Sequence, residues 1–92
     1  MQLLTAAEVK GARPRKREIL FSICFQTGQQ VYFRCGPYDL LKDALTMACE
    51  TVNEDIAKFV FLCHGFRIEP GACPVHVGLG HRDVIDAIEM RV

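Results

Sequence analysis

Residues 18–35 read EILFSICFQTGQQVYFRC, and they decide the fold. Ile19, Phe21, Ile23 and Phe25 alternate with Leu20, Ser22, Cys24 and Gln26, the period of two that a half-buried strand requires. Gln26-Thr27-Gly28-Gln29 is polar and contains a glycine, so it predicts a tight turn. Gln30 to Cys35 then repeats the alternation, with Val31, Phe33 and Cys35 on one face. Two such strands joined by a short turn make a hairpin.

Outward from the hairpin the period changes. Gly36-Pro37 ends the second strand. Asp39 is of a type that caps helices, and Leu41, Ala44, Leu45, Ala48 and Val52 recur at three- and four-residue spacing. This predicts a helix over 39–52. A third strand is expected over Lys58–Cys63, a hairpin turn at His64-Gly65, and a short return strand over Phe66–Ile68. Pro74 suits the first position of a short helical turn. Val84–Met90 alternates again as a last strand. The order is ββαββ, a short turn, then β: an α+β roll with one long helix across a mixed sheet. Residues 1–17 show no periodic apolar face and predict a flexible basic arm, followed by one domain over 18–92.

Composition narrows the function classes. Of the 92 residues, 50% are hydrophobic and 24% charged, which argues for a packed core and against disorder. Eleven basic residues balance eleven acidic ones, so no overall basic field points to nucleic acid. The charge is uneven: Lys10, Arg13, Arg15, Lys16 and Arg17 make a basic start before an acidic body. The cluster Arg13–Arg17 reads as a solvated linker or a nuclear-localisation patch. No apolar run is long enough for a membrane span, and no secretory signal is recognisable. An intracellular chain, nuclear or cytoplasmic, is expected.

Five cysteines, an odd number with no CxxC, read as reduced and mostly buried small hydrophobes. Cys63-His64 with Cys73 and His76 has the residue types of a zinc site. However, neighbours on a strand point to opposite faces, so Cys63 and His64 can hardly share a metal. The same divergence denies them a nucleophile–base pairing. No G-x-S-x-G, phosphate-loop or paired-carboxylate pattern occurs. The expectation is no enzyme, no cofactor, no metal and no small-molecule substrate.

Three stretches resemble one family in order and at its spacing: QVYFRCGPYDLLKDALTMACE (30–50), FVFLCHGFRI (59–68) and CPVHVGLGHRDVIDAIE (73–89). In the second, Gly65, Arg67 and Ile68 match the hairpin pattern F-x-F-x-G-x-x-I. In the third, Pro74, Val77, Leu79, Asp83, Ile85 and Ala87 fall in register with the family's ending. Residues 18–90 thus resemble the small ubiquitin-like modifiers of the SUMO type and, more distantly, ubiquitin. The resemblance implies the β-grasp fold and a protein-binding role.

It also implies two surfaces. One is a groove between the second strand and the helix that accepts an apolar SUMO-interacting peptide as an added strand. Its positions here are Val31, Tyr32, Phe33, Cys35, Ala44 and Met47. Gly36 and Asp43 replace the lysines that attract a peptide's acidic flank. The other surface docks the conjugating E2 enzyme non-covalently, at positions matching Val60, His64 and Asp83. His64 replaces an acid and Val60 a base, while Asp83 is kept. Alternation that turns Phe61 and Cys63 inward leaves Val60 and Leu62 outside, open or under a neighbouring segment. The implied function is a monomeric, non-covalent SUMO-like interaction domain, since no diglycine is visible. The alternative is a conjugatable modifier whose diglycine lies just beyond Val92.

Overall fold

The computed structural model describes residues 1–13, Arg15 and 17–90. Pro14 and Lys16 of the basic cluster, and Arg91 and Val92, lie outside the described residues.

The hairpin of residues 18–35 forms as its alternation dictates. Strands β2 (Ile19–Phe25) and β3 (Gln30–Cys35) pair antiparallel, with Phe21 opposite Phe33 and Ile23 opposite Val31. Gly28 makes the turn possible. Its φ of 92° is costly for a side chain, and the loop closes with the Gly28 amide donating to the Phe25 carbonyl at 2.9 Å. Strands β4 (Phe59–Cys63) and β5 (Phe66–Arg67) form the second hairpin. Its two turn residues, His64 and Gly65, both have positive φ, 53° and 83°, as a type I′ turn needs. Strand β6 (Val84–Glu89) lies between the hairpins, parallel to β2 and antiparallel to β4.

Helix α2 spans Leu41–Thr51, starting two residues later and ending one residue earlier than predicted. Asp39 does not cap it. The residue before the helix is Leu40, with no side-chain cap bond, and the Asp39 carboxylate instead accepts from the Gly36 amide at 2.9 Å. Leu41, Ala44, Leu45, Ala48 and Cys49 face the sheet. They meet Phe21, Ile23, Phe25, Val31, Phe33, Phe61, Ile85 and Ala87 in one core. Phe21 and Phe33 stack at 5.5 Å between ring centroids. The short helix at Pro74 forms as expected, as α3 (Pro74–Val77).

The N-terminal segment corrects the expectation of a patternless arm. Gln2–Leu4 form strand β1, paired antiparallel with β3, and Ala6–Gly11 form helix α1. The sheet is therefore six-stranded, in the order β1-β3-β2-β6-β4-β5. Thr5 and Glu8 start α1 as a capping box. The Glu8 amide donates to Thr5 Oγ1 at 3.1 Å, and the Thr5 amide donates to Glu8 Oε1 at 2.9 Å.

Residues 4–11 also change the far side of the sheet. Leu20 and Ser22 point away from α2, yet are only 1% and 6% exposed. Leu4 is buried on that side opposite Tyr32, with Val9 half-buried beside Leu20. Burying a leucine such as Leu4 contributes about 1.5–3 kcal/mol. So β2 is covered on both faces over part of its length, not on one face as its alternation alone predicts.

Candidate functional site

The far side of the sheet is covered at the β1 end and open at the β4 end. Strands β4 and β6 put every second residue there. Val60 stands opposite Ile88, and Leu62 opposite Asp86. Val60 and Leu62 are half-buried, while Val84 (44%), Ile88 (37%) and Met90 (46%) are exposed. Phe61 and Cys63 are buried on the α2 side, which is the alternation expected. The open strip is thus larger than the sequence reading found. Val84, Ile88 and Met90 were missed, although the same period of two in Val84–Met90 carries them.

The rim of the strip carries both signs of charge. Leu62 has Arg67 opposite it on β5 and Asp86 opposite it on β6. At the turn end, His64 Nε2 lies 3.0 Å from Asp83 Oδ2, and the Gly80 amide donates to the same oxygen at 2.7 Å. The αL conformation of His64 aims its ring across to the loop before β6, and the Gly80 bond holds the carboxylate to meet it. The structure therefore brings Val60, Leu62, His64 and Asp83 to one end of the sheet. An apolar strip beside an Asp–His pair and an arginine can dock a protein surface through burial and register it by charge.

The groove residues are arranged otherwise. Val31, Phe33, Cys35 and Ala44 are buried in the core, and Met47 is half-buried against it. Tyr32 lies on the far face with its hydroxyl donating to Gln30 Oε1 at 3.0 Å. The free edge of β3 is taken by β1. The chain's own N-terminal strand thus fills the place an added strand would take beside Tyr32–Arg34, and of the six residues Val31 and Tyr32 line a cavity of about 370 Å³ with Leu3, Leu4 and Thr51.

All five cysteines are free thiols: Cys35, Cys49, Cys63 and Cys73 are buried and Cys24 is half-buried. Burial pushes the Cys35 thiol up to about 12 and raises those of Cys49 and Cys63. Cys63 points inward and His64 outward, as strand geometry requires. His76 instead accepts from the Cys73 amide at 3.2 Å and helps start α3. Among the described residues no three His, Cys, Asp or Glu side chains cluster as metal ligands. None of their helices is long and apolar enough to cross a membrane.

This architecture of two hairpins, a crossing helix and a central parallel β2–β6 pair is the ubiquitin-like β-grasp. A de novo designed protein based on ubiquitin matches it with a TM-score of 0.73, at 9% sequence identity, over 85% of this chain and 95% of that one. No protein-family model and no curated protein matches the chain.

Proposed function

We propose that this chain is a SUMO-like interaction domain that binds proteins non-covalently in ubiquitin- or SUMO-type signalling, in the nucleus or cytoplasm. Its docking surface is the strip of Val60, Leu62, Val84, Ile88 and Met90, registered by the His64–Asp83 pair. The observation that carries this reading is the uneven cover of one sheet face. The β1 end is partly covered by Leu4 and α1, while the β4 end leaves three large apolar side chains more than a third exposed. Clustered apolar exposure of this kind marks interaction sites in soluble domains.

The partner favoured is an E2 enzyme of the SUMO type rather than a SUMO-interacting peptide, because the β3 edge a peptide would use is already paired. Val60 in place of a base makes the contact more apolar than in SUMO-type relatives. His64 in place of an acid weakens attraction to a basic partner.

The test is an affinity series with a purified SUMO-type E2. Leu62→Ala should weaken binding about tenfold or more, the effect of losing part of a buried leucine's contribution of roughly 1.5–3 kcal/mol. Glu50→Ala, on the exposed side of α2, should leave it unchanged. Equal affinity of the wild type and a folded Leu62→Ala variant would reject the proposal.

A further inference from the structure

Ser22 is a polar residue in an apolar row. Strand parity puts it on the far face with Leu20, and it is only 6% exposed. Its hydroxyl makes no hydrogen bond among the described residues. It is not sealed in, because it opens on a cavity of about 200 Å³. Buried hydroxyls are as a rule hydrogen-bonded, so one turned into a cavity calls for a partner there.

The sheet, α1 and one loop build the cavity. Ser22 lies between Tyr32 on β3 and Val84 on β6, and these residues with Leu20 make the floor. Val9 of α1 makes a wall. That wall is held in place: Met1 packs against the main core, Leu4 is buried, and Thr5 and Glu8 cap the helix. Arg82 stands exposed at the mouth. Its loop is fastened to β2 on both sides, the Arg82 amide donating to the Leu20 carbonyl and the Ser22 amide to the Asp83 carbonyl. The guanidinium and the Ser22 hydroxyl therefore border the same space.

The polarity of the lining is one-sided. Arg82 is the one charged residue that lines the cavity, and it has no ion pair among the described residues. The neighbouring carboxylate, Asp83, is turned to His64 and Gly80. Gln30 at the rim uses its Oε1 to accept from Tyr32, which leaves its amide nitrogen to donate. Apolar walls with donors at one end and no lining carboxylate suit an anion with a hydrocarbon body. The volume lies below the roughly 300 Å³ of sites for drug-sized ligands, so the anion is short.

We propose that this cavity binds a short apolar carboxylate, an aliphatic or aromatic acid. Its hydrocarbon part lies on Leu20, Val9 and Val84, and its carboxylate accepts from the Arg82 guanidinium and the Ser22 hydroxyl. The site does not depend on protein docking at the neighbouring strip, and its test uses no protein partner.

The experiment is a chemical-shift titration of the full 92-residue chain with phenylacetate, and in parallel with phenylacetamide and acetate. Phenylacetate should give saturable shifts at Val9, residues 20–22, Tyr32 and residues 82–84, complete by about 10 mM, the range expected for a ligand of this size. Phenylacetamide lacks the charge and acetate the hydrocarbon, so each should bind at least about tenfold more weakly. Arg82→Gln and Ser22→Ala should each weaken phenylacetate about tenfold, and Arg82→Lys should recover part of the loss at that position. Four results would each overturn the proposal: no saturable shift with phenylacetate, equal binding of phenylacetamide, shifts only outside these residues, or full affinity in folded Arg82→Gln and Ser22→Ala.

Discussion

Asp39 illustrates how a single carboxylate is held. The Gly36 amide bonded to its Oδ2 keeps its pKa below the ordinary carboxylate range, and this outweighs the opposing effect of partial burial. A folded-state pKa below the unfolded one means that the stabilisation is fully present above about pH 4, the unfolded value. It is lost as pH falls through the folded value. Asp39→Asn should therefore be less stable than the wild type at neutral pH, with a gap that narrows below about pH 4. Thermal unfolding across pH measures this, and a gap independent of pH would refute it. The thiols give a second prediction at this scale. The thiolate is the reactive form, and burial disfavours it at Cys35, Cys49 and Cys63. With Cys73 also buried, a thiol-reactive dye on native protein should label Cys24 first and the other four only on unfolding. Peptide mass mapping would read this out, and fast labelling of Cys35 or Cys63 would contradict the burial described.

The elements differ in how clearly their residues announce them. Both predicted hairpins form because turn chemistry and alternation agree: Gly28 and Gly65 sit where positive φ is needed, and apolar residues flank them at a period of two. Gly65→Ala should cost about 1–2 kcal/mol in denaturant unfolding, the penalty for a side chain in the left-handed region. No neighbouring atom would clash with the added Cβ, so the effect is conformational; an unchanged midpoint would deny the type I′ turn. The strand β1 was not foreseen. Three residues are too few to show a period, and pairing at a sheet edge is a long-range choice. Two local signs of the segment were nonetheless present. Thr5-Ala6-Ala7-Glu8 has the capping-box spacing that starts α1, and Leu20 stands in a row that alternation assigns to solvent, which implies a cover. The helix start was misplaced because Asp39 is a good capping type, but here its side chain closes the preceding turn.

At the scale of the whole molecule, a fold shared with a ubiquitin-based design at 9% identity rests on pattern, not on particular side chains. Alternation, turn glycines and one amphipathic helix are enough to specify it. The site is more individual. That Val60, Leu62 and His64 share one face was legible in advance because strand parity is local, whereas Asp83 came only with the resemblance. The closure of the β3 edge was not legible, because it depends on how residues 1–11 fold back over the sheet. The proposed role rests on proteins docking on the open half of the far face. A chemical-shift titration of isotope-labelled chain with a SUMO-type E2 tests it most directly. Shifts are expected at residues 60–64 and 83–90, abolished in folded Leu62→Ala. Shifts confined to residues 30–47, or none at saturating E2, would contradict it.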